Sequence, residues 1–478
     1  MKRIQTHKGY NFFHHTPASR DLNLLEGPIL GKVFLFALPL MATNLLQVFY
    51  NAADMVIAGM SGVEGAIGSI GTTGAFINLV LNIFMGFSVG TNVVVARCIG
   101  KGDREQTQAA VHTSLVMAAI FGAICAVIGL FISRPILAML GDEGHILDLA
   151  TLYTRIYFAG TPFMAVANYL IAILRAKGDT RTPLYILTAT GLLNVLMNLF
   201  FVLVCRMSVD GVALATVLSN AVSMVLLGGV LMRDEGVCRL TLKKLSIDKR
   251  AFREIVRDGL PAGLQGALFS LSNMLIQSSI IGINNRLCPG GSDIIDGNAA
   301  AGSLEGFAYT ATNSVYQAAV TFTSQHFGAG KFRRIGGVMK NCYLVTTMIA
   351  LTVSTVLFVF RYPLLGLYVS DELAIEAGLT RFYVMMVPYF LLAWMEVGSG
   401  VLRGLGRSFT STIISLVGTC AFRLIWIWTV VPLDPTLTTV YLSYPISWAM
   451  TGALHLTFSL VIRKRYLNRS AEGGTVAG

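Results

Sequence analysis

Charge is what this chain has least of. Asp, Glu, Lys and Arg make up 13% of its 478 residues, where a soluble protein carries roughly 25%. The seven cysteines are scattered, with no CxxC pair, which argues against a disulfide framework and against a metal site. No GxxxxGK[ST] occurs, so nucleotide-driven chemistry has no support. HExxH and paired-aspartate motifs are missing as well. Gly86-Phe87-Ser88-Val89-Gly90 matches the GxSxG nucleophile pattern by letter, but it sits inside an apolar run, not between a strand and a helix. Glycines four apart are instead a helix-packing signature. Neither an enzyme nor a cofactor is expected. A cleavable signal is not expected either: residues 1–30 are polar, and the first apolar run is too long for a signal core.

What is present is apolar length. Hydrophobic residues reach 54% and the mean hydropathy is +0.66. Twelve segments of spanning length lie at about 34–60, 66–95, 109–132, 151–174, 184–205, 211–232, 259–283, 299–323, 338–360, 381–402, 412–432 and 439–462. They predict an all-α polytopic membrane protein with twelve transmembrane helices. With the N-terminus inside, 36 Lys and Arg fall on the tails and even-numbered loops, except for Arg423 and six on the other side (Arg134, Arg155, Arg206, Arg286, Arg361, Arg381). This positive-inside bias predicts a cell-membrane protein with both termini cytoplasmic. The net charge of +11 therefore reports topology and not a nucleic-acid partner. The expected partners are the lipid bilayer and a small molecule, and the chain is expected to be a monomer.

The two halves resemble each other. Gly100 and Gly328, Arg175 and Arg403, and Pro135 and Pro363 share an offset of 228 residues, while Pro39 and Pro261 stand 222 apart. Six spans per half keep corresponding helices in one orientation, so two six-helix lobes are predicted, related by a parallel pseudo-two-fold axis along the membrane normal. The expected division is an N-terminal tail at 1–33, a first lobe at 34–232, a basic linker at 233–258, a second lobe at 259–462 and a C-terminal tail at 463–478. The Gly- and Arg-bearing turns after each span read as helix C-terminal ends.

Asn44, Gln47, Asn51 and Asp54 fall on one face of the first segment. A carboxylate at a helix centre costs about 2.5–3.5 kcal/mol to insert, so this stripe has to face a bundle interior or a wet cavity. Asn194 and Asn198 sit one turn apart in the fifth segment, with Thr216 in the next. Their neutral oxygens suit Na⁺ or a protonated carboxyl, and interhelical hydrogen bonding is the plainer alternative. In the second half, Asn273 and Gln277, the face Glu305, Tyr309, Thr312 and Tyr316, and Glu396 offer acidic and aromatic groups suited to an organic cation. Arg423 is a candidate counter-ion for Glu396.

From about Gly27 to Ile462 the chain resembles the multidrug and toxic compound extrusion (MATE) family, closer to its DinF-like branch. The matching residues are Leu38-Pro39 with Asn51, Asp54 and Gly59, then Ala96-Arg97 through Asp103, Leu174 through Asp179, Asn194 and Asn198 with Asp210-Gly211-Val212-Ala213, Gly259-Leu260-Pro261 and Gly328-Ala329-Gly330. The resemblance implies an antiporter that exports cationic or amphipathic compounds in exchange for H⁺ or Na⁺ by alternating access. It also implies a cation site at Asp54, Asn194, Asn198 and Thr216. The branch often carries aspartate where this chain has Asn198, and the NorM-like branch has a glutamate where this chain has Gln265. The expected substrate cavity comprises Gln47, Asn51, Asn273, Gln277, Glu305, Tyr309 and Glu396, with Pro39 as a hinge in the first helix. A flippase for a lipid-linked or other amphipathic substrate is the alternative, one that would call for a more cationic cavity.

Overall fold

In lipid, an apolar run satisfies its backbone only as a helix or in a closed barrel, and helices are what the computed structural model contains. It describes residues 22–63, 66–139 and 144–471, with no strand among them. The first lobe holds α1 (Ile29–Gly59), α2 (Ala66–Lys101), α3 (Arg104–Met139), α4 (Gly144–Ala159), α5 (Thr161–Lys177), α6 (Arg181–Leu199) and α7 (Val209–Met232). The second holds α8 (Lys249–Leu287), α9 (Asp293–Gly328), α10 (Phe332–Val359), the short α11 (Arg361–Gly366), α12 (Glu372–Met385), α13 (Phe390–Gly404), α14 (Ser408–Ser415), α15 (Phe422–Thr429) and α16 (Leu437–Ala471).

Among the described residues 9 helices are long and apolar enough to cross a membrane, or up to 11 with each bent pair taken as one span. The twelfth span is α9. It is 36 residues long, yet it carries Glu305, Tyr309, Asn313, Gln317, Thr321 and Gln325 at every fourth position. Each step of four overshoots a turn by about 40°, so the row slants around the helix and its two ends meet different neighbours. Two spans that read as continuous in sequence are broken: α4 meets α5 at 49° and α12 meets the helix ending at Gly404 at 55°. Pro162 and Pro388 mark these breaks, because proline removes a backbone donor and clashes with the preceding turn. Helix α8 begins inside the segment expected to be linker. Asp248 caps it by accepting from the Ala251 backbone N–H at 2.7 Å, as an N-cap aspartate does.

Helix α1 belongs to both lobes. Its first turns (Val33, Phe36, Ala37, Leu40) are buried in an apolar cluster with Val315, Phe322 and Ile335 of the second lobe. Ile57 and Ala58 join a first-lobe cluster with Tyr157, Phe158 and Val212. Pro39 lies within the second-lobe attachment, between Ala37 and Leu40.

Glycines set how closely the lobes approach. A Cβ on Gly86 would lie 2.0 Å from the Gly263 nitrogen, and one on Gly90 would lie 2.6 Å from the Ile255 carbonyl oxygen. The GxSxG letters are thus a packing surface between α2 and α8. At the end of the molecule bearing Lys101, Lys177 and Lys331, hereafter the basic end, α2 crosses α9. A Cβ on Gly100 would stand 2.1 Å from the Gln325 carbonyl oxygen, and one on Gly328 would stand 2.1 Å from that of Arg97. Gly100 and Gly328 are repeat partners, and so are Arg97 and Gln325, so this contact maps onto itself under the repeat.

Candidate functional site

Asp54 occupies the inner face of α1 and is 9% exposed. Gly191 lets α6 come against it, since a Cβ there would fall 1.9 Å from the Tyr50 ring. Two turns further along α6, Asn198 donates from Nδ2 to Asp54 Oδ1 at 2.5 Å. The Asn194 amide, turned so that nitrogen faces the carboxylate, donates to the same oxygen at 2.9 Å and accepts from the Thr216 backbone N–H at 3.3 Å. Thr216 of α7 places its hydroxyl 3.4 Å from Asp54 Oδ2. No Lys or Arg pairs with Asp54 among the described residues. Asn198 is fully buried, and its Oδ1 has no hydrogen-bond partner. A carboxylate steadied only by neutral donors, beside an unanswered acceptor, is a place where a proton or a small cation can be held.

The carboxylate borders a chamber of about 520 Å³, a volume in the range of small-molecule sites. Helices α1, α2, α4, α5, α6 and α7 line it, and Asp54 is the one charged residue in its described lining. Gln47 and Asn51 line it, and Asn44 does not. Sequence reasoning missed Asn78, Asn82, Asn168 and Asn220, which also line it. Asn78 and Asn82 stand one turn apart in an apolar helix, the signal that singled out Asn194 and Asn198.

The second-lobe candidates lie outside this chamber. Asn273 is exposed on α8, and Gln277 is spent accepting from Asn298 at 3.0 Å. Glu305, expected to line the substrate cavity, is ion-paired with Arg381 at 2.5 Å. Arg381 in turn donates to Asn298 at 2.7 Å. The reason is distance along the chain: α12 brings Arg381 onto α9, which no local spacing reveals. Tyr309 accepts from Asn313 at 3.4 Å. Thr312 bonds to its own helix at the Ala308 carbonyl, and Tyr316 accepts from Arg403 at 2.8 Å. Glu396 is 9% exposed, and Arg423 is not its counter-ion. That guanidinium donates to Ser447 at 2.9 Å and lies 4.1 Å from the centre of the Tyr444 ring, a cation–π contact that answers its charge without an acid.

The motif arginines are not exposed helix ends either. Arg97 is 3% exposed and reaches Asp258 at 3.1 Å and Glu254 at 3.8 Å. Arg403 donates to Gln265 of α8 at 2.9 Å, and Arg175 crosses to Gln317 of α9. Gln325 donates to the Ala176 carbonyl at 2.7 Å and Thr321 to Asn92 at 3.0 Å. Apart from the Arg403–Gln265 bond, which lies within the second lobe, these bonds hold the two lobes together toward the basic end.

Two helical lobes, sealed at one end and holding a polar chamber with a buried carboxylate, define a membrane transporter. Comparison with known proteins makes the class specific. The MatE family profile matches residues 39–200 and again 261–429, and the chain belongs to that family, one of transporters and not of enzymes. The chain is 25% identical over 394 residues to the probable multidrug resistance protein NorM of Thermotoga maritima, covering 81% of this chain and 82% of that protein. It is 22% identical to the multidrug export protein MepA of Staphylococcus aureus, covering 82% and 85%. It is 23% identical to an FAD transporter of Shewanella oneidensis, covering 82% and 86%. Among solved structures, an outward-facing multidrug resistance MATE transporter of the MOP superfamily superposes with a TM-score of 0.85 at 20% identity, covering 95% of this chain and 100% of that one. These structures share the fold of twelve spans in two lobes.

Proposed function

We propose that this chain is a secondary active multidrug efflux antiporter, exporting cationic or amphipathic small molecules in exchange for H⁺ or Na⁺ by alternating access. The observation that carries the reading is Asp54, buried among Asn194, Asn198 and Thr216 at the wall of the chamber. Exporting one monovalent cation against the membrane potential costs about 2.3 kcal/mol per 100 mV. One-for-one exchange with H⁺ or Na⁺ cancels that electrical term and leaves the ion gradient to drive export. The amides face Asp54 through nitrogen, which steadies the bare carboxylate. Turning either amide brings oxygen inward and assembles an oxygen cluster for a small cation. Proton uptake on Asp54 is the simpler coupling, because one carboxylate is present and not two. Gln47 and Asn51 belong to the cargo path, and Glu396 is a secondary cargo contact. With the basic end cytoplasmic, the seal lies inside and the chamber serves the outer side. A lining without cationic groups favours this cargo over a phosphate-bearing lipid.

Reconstituted protein should expel a fluorescent cationic dye when an H⁺ or an Na⁺ gradient is imposed separately. Asp54→Asn should abolish the gradient-driven part while leaving the protein folded. Full gradient-driven efflux by Asp54→Asn would remove Asp54 from the coupling.

A further inference from the structure

The chamber holds many amides, and the hydrogen bonds they already make decide which atoms remain for a ligand. Asn168 donates from Nδ2 to the Met164 carbonyl at 2.9 Å, and Asn220 from Nδ2 to the Thr216 carbonyl at 2.8 Å. A carbonyl only accepts, so nitrogen must face it, and both amide orientations are fixed. Asn82 donates to the Ser270 hydroxyl at 3.1 Å. That hydroxyl spends its own proton on the Gly266 carbonyl at 3.2 Å, which fixes Asn82 as well. Three amides from three helices therefore keep their oxygens for the chamber, and among the described residues none of these oxygens is engaged or sealed from contact.

The hydroxyls follow the same rule. Thr73 donates to Ile70 O at 2.7 Å, Thr190 to Ile186 O at 3.0 Å and Ser219 to Thr216 O at 3.0 Å. Their protons are committed to their own helices; Thr190 also accepts from Ser223 at 2.7 Å, whereas Thr73 and Ser219 accept from no donor among the described residues. Open donors remain on Gln47, Asn51 and Asn78, whose amides also accept, and on the hydroxyls of Tyr153 and Tyr157. With Asp54 added, the wall has a surplus of acceptor oxygens drawn from α1, α2, α5 and α7.

We propose that this chamber selects cargo through N–H donors, so that a primary ammonium, guanidinium or amidinium group is held by Asn82, Asn168 and Asn220, whereas a fully alkylated or arylated cation is not. The proposal rests on the export reading for its biological sense, but not for its chemistry. A permanent cation without N–H can approach Asp54, yet it leaves the amide oxygens unanswered where they had been hydrated, and each such loss costs binding.

The test compares DAPI, a dye with two amidinium groups, with tetraphenylphosphonium, which has no N–H. Binding to purified protein is read by isothermal titration calorimetry, and transport in proteoliposomes is read separately. Wild type should favour DAPI by on the order of tenfold or more, the ratio for a hydrogen bond to a charged donor. Asn168→Leu and Asn220→Leu should each weaken DAPI by about tenfold and leave tetraphenylphosphonium within about twofold. Asn168→Asp keeps the acceptor and adds charge, so it should tighten DAPI. This variant guards against a leucine variant that fails to fold. Equal binding of both probes by wild type, or parallel losses for both in the variants, overturns the proposal. The predicted selectivity in binding without export of either probe would uphold the chamber chemistry and sink the antiporter reading instead.

Discussion

At the residue scale, the two acids that the sequence brings forward have opposite fates. Glu305 is 13% exposed, and its partner Arg381 is 15% exposed. Breaking such a pair from one side strands a buried charge and costs about 3–5 kcal/mol. Glu305→Gln should therefore lower the melting temperature of the purified protein clearly. Glu305→Gln with Arg381→Met should recover part of that loss, which a melting series on the single and double variants will check. Asp54 has no such cation, and Asn198 beside it offers a buried acceptor without a donor. Asn198→Asp sets a second carboxylate next to Asp54, and two such groups keep both charges only with a cation between them. Dye efflux by Asn198→Asp should become dependent on Na⁺, as seen by comparing imposed Na⁺ and H⁺ gradients. Asp54 was legible because one carboxylate in a lipid-length run has few explanations. The pairing of Glu305 was not, since its cation stands on a distant span. Asn82, Asn168 and Asn220 were illegible for another reason: a single amide in an apolar helix reads as ordinary interhelical bonding until the neighbouring helices are in place.

At the element scale, α1 ties the lobes together, one half buried in each, so any relative movement of the lobes has to be absorbed along it. Pro39 sits within the second-lobe attachment, beside Leu40, and leaves the carbonyl one turn before it without its usual donor. The Thr43 hydroxyl takes up the Pro39 carbonyl at 2.8 Å, which eases local bending. Pro39→Ala restores a backbone bond and stiffens this point. The variant should melt higher and transport more slowly, with dye binding to the chamber unchanged; normal turnover would dismiss the hinge. The broken spans belong to the same scale. Periodicity and length locate the helices, but whether Pro162 or Pro388 kinks a span, begins a helix or ends one depends on the packing around it. Polarity misleads in the other direction for α9. In its polar row Gln317, Thr321 and Gln325 bond to the other lobe and Glu305 to Arg381 of its own, so hydropathy undervalues a span that the repeat requires.

At the scale of the whole molecule, the internal repeat was legible as an offset, but which of the repeated residues meet was not. Gly100 and Gly328 read in sequence as helix ends, equivalent and separate. In space each presses on the backbone beside the other, with Arg97, Asp258 and Glu254 pairing around them. Reaching the chamber from the basic end requires this crossing to part. Adding one methyl group at Gly328 or Gly100 meets a carbonyl oxygen, not a flexible side chain, so it cannot be accommodated by a rotamer change. Overpacking of this kind costs about 1–3 kcal/mol and falls only on the sealed arrangement. Gly71 makes a fair control, because a Cβ there meets nothing within 4 Å. In a background without native cysteines, Ala176→Cys reports the seal, since Ala176 is fully buried and its carbonyl is held by Gln325. Gly328→Ala and Gly100→Ala should each raise maleimide labelling of that cysteine from the basic side by roughly tenfold, while Gly71→Ala leaves it unchanged. Arg97→Gln should act in the same direction, because Asp258, 1% exposed, then loses its guanidinium partner at the seal. Labelling that stays at the parental rate in all three seal variants would place the barrier elsewhere along the α2–α8 contact and reduce the self-matching glycine crossing to a consequence of duplication.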